Sequence, residues 1–160
     1  MTLKQLHEII NNNKLHQEWG YHNFIEIDIE LDQSFKDLAR YNLHIRCSEI
    51  GDMAFKDYII SEITNINLYQ ITVKIRNEKH FVDEKVKLKE FLTVLKNVEN
   101  IDYTNKYIHL AVNDNFEKNI HFGLFDEWLE CNIQSIGWNG MDMQEKLRIN
   151  VLKEMNNMEE

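Results

Sequence analysis

The chain has 160 residues, the size of one ordinary domain. Its 18 basic and 27 acidic residues leave a net charge of −9, which argues against direct binding to nucleic-acid phosphates and against adhesion to an anionic membrane. The same charge fits a basic protein partner. Two cysteines are too few for a disulfide framework, and no apolar run approaches the ~18 residues of a membrane helix. With no signal-peptide pattern at the start, we expect a cytoplasmic protein.

The first third of the chain predicts a helix followed by a β-hairpin. Thr2 and Gln5 form a capping-box pattern, and leucines and isoleucines then recur at helical spacing. Apolar and acidic residues alternate over 24–31, which predicts a strand with one buried face. A second alternating strand near 43–47 is expected to pair with it in antiparallel fashion.

The middle of the chain predicts a helix, a strand and another helix. Asp52 is expected to cap a helix over 52–65, because apolar residues recur there at helical spacing. Alternation predicts a strand over 68–76. Asp83 is expected to cap a helix over 84–98, with lysines on its outer face. The apolar stripe of the helix over 52–65 consists of Phe55, Ile59, Ile60 and Ile63.

The last third predicts two clear strands and then less regular segments. Tyr107–Val112 and Ile120–Phe125 alternate as strands do, and the turn 113–115 between them is rich in residues that tolerate tight geometry. Residues 126–131 are expected to form one helical turn, and 133–138 a short strand.

A final helix and the order of the elements complete the predicted fold. Asp142 with Glu145 resembles an N-cap pair, and the helix would carry Leu147, Val151 and Met155. No internal repeat or linker is visible, so residues 1–160 are expected to form a single domain with a frayed tail from about residue 156. Mixed helices and mainly antiparallel strands predict the α+β class, with one sheet of about five strands and helices packed on one face.

The segment 114–145 has the most one-sided charge in the chain. It carries seven acidic residues against Lys118 alone, together with five aromatic residues. Aromatic side chains supply much of the binding energy at protein interfaces, and acidic rim charge speeds association with a basic partner. The alternative is that Phe122, Phe125 and Trp138 belong to the core and that the acids are ordinary solvated surface. The predicted interface residues are Asp114, Glu117, Asp126, Glu127, Trp128, Glu130 and Trp138.

A second acidic feature is the row Glu26, Asp28 and Glu30 on the first predicted strand. Alternate residues on a strand lie about 6.6 Å apart, close to the spacing of phosphates along a nucleic-acid strand. The row is therefore a candidate phosphate mimic that would occupy a nucleic-acid-binding protein. The alternative is cross-strand ion pairing with basic residues expected on the same face, namely Arg46, Lys74 and Arg76.

The sequence contains no recognisable catalytic, cofactor or metal motif. The seven histidines lack the spacing of metal ligands, and the serines and two cysteines stand in no nucleophile motif. The five glycines form no nucleotide-binding loop. We therefore predict no catalytic residue, no cofactor and no metal. An enzyme whose site assembles from distant residues stays an alternative.

The sequence favours a small acidic protein that binds and inhibits another protein. In its sharpest form the hypothesis is an immunity-type inhibitor of a toxic nuclease, or of another basic effector that acts on nucleic acids, which occludes the active site of its target. Such a protein is expected to be a monomer or a weak dimer. The alternatives are a phage-type nucleic-acid mimic, an enzyme of unrecognised type and an assembly subunit.

Overall fold

The computed structural model describes most of the chain in separate stretches. The described residues are 1–12, 21–22, 26–38, 42–46, 55–66, 70–81, 84–95, 107–113, 115–121, 126–139 and 146–153.

Within these residues the chain forms two α-helices and nine β-strands. The helices are α1 (Leu3–Asn11) and α2 (Leu88–Leu95). The strands, in chain order, are β1 (Tyr21–His22), β2 (Glu26–Leu31), β3 (Asn42–Arg46), β4 (Tyr58–Ile66), β5 (Gln70–Lys79), β6 (Tyr107–Val112), β7 (Asn115–His121), β8 (Asn132–Asn139) and β9 (Lys146–Leu152). Short 3-10 helices lie at Gln33–Leu38 and Asp126–Trp128.

The strands are divided between two mixed sheets. The first sheet has the order β3-β2-β5-β4, and the second has the order β1-β8-β9-β6-β7. In the first, β2 runs parallel to β5; in the second, β6 runs parallel to β9; the other neighbours are antiparallel. The predicted α+β class is confirmed. The single sheet of about five strands that we expected is replaced by two sheets, each with one parallel pair.

Helix α1 begins where the capping box predicted. The Gln5 amide donates to Thr2 Oγ1 (3.2 Å), and the Thr2 amide donates to Gln5 Oε1 (2.9 Å), so two helix-end donors are satisfied reciprocally. The buried side of the helix carries Leu3, Leu6 and Ile10. Through it α1 contacts β8 of the second sheet and β4 of the first.

The predicted hairpin is formed by β2 and β3. Their register places Ile29 opposite Leu43, and Ile27, Ile29 and Leu31 are buried as the alternation required. The strand predicted over 68–76 is β5, which continues to Lys79.

The helix predicted over 52–65 is wrong, because Tyr58–Ile66 is strand β4. Its buried residues are Ile60, Ile63 and Ile66, three apart, since register shifts recur along its pairing with β5. Each bulge inserts an extra residue and stretches the normal two-residue period of a strand. The resulting spacing resembles that of a helix face, which explains the error. Asp52 lies outside the described residues.

Helix α2 is shorter at its start than predicted. Lys87 forms a β-bridge with Asn132, so the segment before Leu88 is extended rather than helical. The first-turn amides of Leu88 and Lys89, which no helical carbonyl can satisfy, donate to backbone carbonyls of the segment before β8. Asp83 lies outside the described residues.

In the second half, Tyr107–Val112 is strand β6 as predicted. Strand β7 starts at Asn115 rather than at residue 120, and Asn115 pairs with Val112 of β6. Asn113, which follows β6, has a φ of 53°, in the left-handed region that asparagine tolerates. The expected helical turn after residue 126 is the 3-10 helix Asp126–Trp128, and the expected short strand is β8.

The predicted final helix is also wrong, because Lys146–Leu152 is strand β9. This strand lies between β8 and β6, so both of its edges are paired. Residues 147–151 are all buried, so both of its faces are covered as well. Leu147 and Val151, four apart, share one face of a helix and equally one face of a strand, which made the spacing ambiguous. Three residues of the prediction, Asp142, Glu145 and Met155, lie outside the described residues.

The buried side chains form one continuous cluster. It unites both sheets with α1 and α2 and consists of leucine, isoleucine, valine and phenylalanine. Among the described residues, no helix is long and apolar enough to cross a membrane.

Candidate interaction surface

Within the predicted acidic aromatic segment, the turn 126–131 is anchored by backbone hydrogen bonds. The Cys131 amide donates to Trp128 O (3.0 Å), which closes the turn. The amides of Leu88 and Lys89 donate to Cys131 O (2.9 Å) and Leu129 O (3.0 Å). The turn therefore caps the start of α2 with its own carbonyls, and its conformation is held by backbone bonds.

Glu130 on this turn is held by two lysines. Its Oε1 accepts from Lys89 Nζ at 2.8 Å, and its Oε2 accepts from Lys87 Nζ at 3.1 Å. These hydrogen bonds keep the pKa of the Glu130 carboxyl below its usual value, and the bond from Lys89 has the largest effect. Because two ammonium groups share this charge, Glu130 offers less free negative charge to a partner than the sequence predicted.

Glu127 and Trp128 give the turn its acidic and aromatic character. Glu127 is exposed, whereas Trp128 is half-buried and packs against the core. An aromatic ring anchored in the core with an exposed acid beside it resembles an interface anchor with a charged rim.

The remaining predicted interface residues are spread over other elements. Glu117 lies in β7, the strand at one edge of the second sheet. Asp126 starts the 3-10 helix. Trp138 lies in β8 and is paired on both sides, opposite His22 of β1 and Leu147 of β9. Asp114 lies outside the described residues.

The acidic row lies on β2, which is an interior strand of the first sheet. Its register places Glu26 opposite Arg46 of β3 and Glu30 opposite Lys74 of β5. Asp28 and Glu30 are half-buried. A row flanked by basic residues on both neighbouring strands favours the ion-pair alternative over phosphate mimicry.

Arg76, the third basic residue expected beside the row, has a different partner. Its Nε lies 2.7 Å from Glu78 Oε2, on the exposed end of β5. An exposed pair of this kind contributes little to stability.

A charged cleft of about 550 Å³ opens at the end of the acidic row. By register Lys74 lies between Glu30 and Glu62 on the two neighbouring strands. Sequence reasoning missed the cleft, because the incorrect helix separated Glu62 from the sheet. The side chains that line the cleft include Glu30, Asp32, Ser34, Ser61, Glu62 and Lys74.

An aromatic cluster at the start of β4 was also missed. Phe55 and Phe35 lie 5.4 and 5.5 Å from the Tyr58 ring between ring centroids, and Lys79 Nζ lies 5.4 Å from the centre of that ring. Beyond β5, Phe81 is 76% exposed, the one large apolar side chain so exposed in the described part of the chain.

Reactive groups are sparse in the described ranges. Cys131 is a free, half-buried thiol, and burial raises the pKa of that thiol, which lowers its reactivity. Across the described stretches, no group of three or more histidine, cysteine or acidic residues is placed to hold a metal ion.

Comparisons with known proteins found no relative of this chain. No protein-family model matches the chain, and no curated protein and no solved structure matches it.

Proposed function

We propose that the chain is a cytoplasmic inhibitor that binds a basic protein, in the sharpest form an immunity-type inhibitor of a toxic nuclease or of another nucleic-acid-acting effector. The observation that carries the proposal is the turn 126–131, where exposed Glu127 stands beside the anchored ring of Trp128. The net charge of −9 supplies long-range attraction to a cationic target.

The inhibitor acts by occlusion. Complementary charge raises the rate of encounter, and Trp128 supplies apolar contact area once the surfaces meet. The turn needs little reordering on binding because backbone hydrogen bonds already hold it, and preorganisation reduces the entropy lost on association. The proposal treats residues 1–160 as one domain that acts as a monomer.

Salt-dependent capture tests this proposal. Tagged protein is used to capture partners from its native host at low and high salt, and the captured protein is identified by mass spectrometry. We expect one stoichiometric basic partner whose capture weakens with salt, since screening removes surface attraction. Absence of a basic partner at low salt would reject the proposal.

A charge-reversal pair then tests the turn itself against the purified partner. We expect Glu127→Lys to weaken binding by roughly tenfold or more, because it reverses a rim charge. Glu8→Lys changes the net charge equally on an exposed position of α1 and is expected to have a smaller effect. Equal losses in the two variants would show that only net charge matters and that the turn is not the interface.

The exposure of Phe81 favours one alternative, an assembly subunit. In that case the isolated protein would form a stable, concentration-independent oligomer in sedimentation, and Phe81→Ser would convert it to a monomer. A monomeric parent protein would leave the inhibitor as the better proposal.

A further inference from the structure

The two halves of the chain share one strand topology. In the first sheet, β2 is antiparallel to β3 and parallel to β5, and β4 is antiparallel to β5. In the second sheet, β6 is antiparallel to β7 and parallel to β9, and β8 is antiparallel to β9. A helix precedes each set of four strands. Apart from the two-residue strand β1, the sheets have the same strand order.

The residue that precedes each helix makes the same pairing. Thr2 forms an antiparallel bridge with Ile59 at the start of β4, and Lys87 forms one with Asn132 at the start of β8. Several backbone hydrogen bonds of these segments follow the same correspondence, so the match is not a single coincidence.

Four backbone hydrogen bonds recur at equivalent places in the two halves, with nearly equal lengths. They are Ile60 N to Met1 O (2.8 Å) and Ile133 N to Val86 O (2.7 Å); Lys4 N to Lys56 O (2.9 Å) and Lys89 N to Leu129 O (3.0 Å); Tyr58 N to Phe55 O (3.1 Å) and Cys131 N to Trp128 O (3.0 Å); Asp32 N to Ile75 O and Asn113 N to Val151 O (both 2.9 Å).

An irregularity of the third strand also recurs. Register shifts fall between Ile60 and Glu62 in β4 and between Ile133 and Ser135 in β8. Both shifts lie inside a pair of buried isoleucines three apart, of which the second member is Ile63 or Ile136. A bulge is a specific feature of a strand pair, so its recurrence at the equivalent position supports a common origin, although two further shifts in β4 have no counterpart in β8.

The helices are exchanged between the halves. Helix α1 packs against β8, the third strand of the second half, and α2 packs against β4, the third strand of the first half. Such reciprocal contacts define an isologous, two-fold interface. The exchange explains why the two sheets share one continuous core.

We infer that the chain is an internal duplication, in which residues 1–79 and 86–152 are two equivalent helix-plus-four-strand units joined as a pseudo-two-fold pair. The repeat escaped the sequence analysis because few side chains coincide. Leu3-Lys4 and Leu88-Lys89 begin the helices alike, whereas other buried equivalent positions, such as Leu6 and Phe91, share only apolar character.

The duplication also marks where the halves differ. Lys74 and Glu62, which line the charged cleft, are equivalent by register to Asn150 and Ser135. In the second half these neutral residues are fully buried, and Asn150 Nδ2 donates to Gln134 Oε1 at 2.7 Å. The charged cleft therefore belongs to one half only.

Exchange of the helices tests the duplication in the full chain. Segment 2–10 is placed at 87–95 and the reverse, which keeps apolar residues at the buried positions Leu3, Leu6 and Ile10 and at their equivalents Leu88, Phe91 and Leu95. We expect a folded protein with one cooperative melting transition, lowered by about 10 °C because side-chain sizes differ.

The control is the same exchange moved by one residue, with 3–11 placed at 87–95 and 88–96 placed at 2–10. It has nearly the same composition but puts lysine at buried positions, and we expect no cooperative transition. An exchange variant that melts no better than this control would overturn the duplication.

Amide hydrogen exchange on the unaltered protein gives a second test that does not depend on a variant folding. We expect the amides of Ile60 and Ile133 to be protected alike, and those of Asp32 and Asn113 likewise, because each pair makes the same hydrogen bond. Protection of only one member of either pair would overturn the proposal.

Discussion

His7 illustrates how one residue on α1 makes stability depend on pH. Its Nε2 lies 2.8 Å from Asn11 Nδ2, so it accepts a hydrogen bond in the neutral ring. Its Nδ1 is buried without a hydrogen-bond partner among the described residues. Burial disfavours the charged imidazolium and lowers the pKa of His7 below the unfolded value of 6.5.

The consequence is a loss of stability on mild acidification. Well above pH 6.5 His7 is neutral in both states and adds no pH dependence. As the pH falls through 6.5 toward the lower folded pKa, the unfolded chain binds a proton that the folded chain does not yet bind, so stability is lost. We expect His7→Gln to reduce the fall in melting temperature between about pH 7.5 and 5.5. Asn11→Ala, which keeps the half-buried ring, should retain most of this fall. Parallel pH profiles for His7→Gln and the parent would contradict the prediction.

At the scale of elements, a strand can be predicted from its sequence when its pattern is uninterrupted. The capping box of α1, the alternation of β2 and the span of β6 were all readable locally, because each depends on neighbouring residues alone. Strands β4 and β9 were mistaken for helices, because bulges in β4 and burial of both faces of β9 depend on partners far away in the chain. The division into two sheets was unreadable for the same reason.

Strand β4 can be tested by comparing two of its isoleucines. Ile66 is fully buried, whereas Ile59 is half-exposed; the incorrect helix would instead place Ile59 in its apolar stripe and end before Ile66. We expect Ile66→Ala to lower the free energy of unfolding by about 2–5 kcal/mol, and Ile59→Ala by less. Urea denaturation measures both, and the reverse order would argue for the helix.

The candidate site was readable only in part. Glu127 is exposed, as the interface hypothesis requires. The hydrogen bonds from Lys87 and Lys89 to Glu130 join residues that are more than forty positions apart in the sequence, so no local pattern reveals them. The charged cleft likewise joins Glu30 to Glu62 through Lys74 on a strand between them, which requires the correct strand order.

At the scale of the whole molecule, the exchanged helices couple the two halves. We expect Leu6→Ala, a cavity in α1, to lower the hydrogen-exchange protection of Ile136 in the second sheet as well as that of Ile63 in the first, because α1 contacts strands of both sheets. Glu8→Ala on the exposed side of the helix is the control. A loss of protection confined to one of the two sheets would show that the halves unfold separately.

The packing of α1 against β8 also has a consequence for biosynthesis. Roughly 120 residues separate the end of α1 from the start of β8, and a ribosome adds them in about 6–24 seconds. Throughout that interval the leucine and isoleucine stripe of α1 lacks its main docking strand. The nascent chain therefore exposes an aggregation-prone apolar segment near its N-terminus until synthesis is almost complete. We expect a chaperone that shields this segment to improve the yield of folded protein.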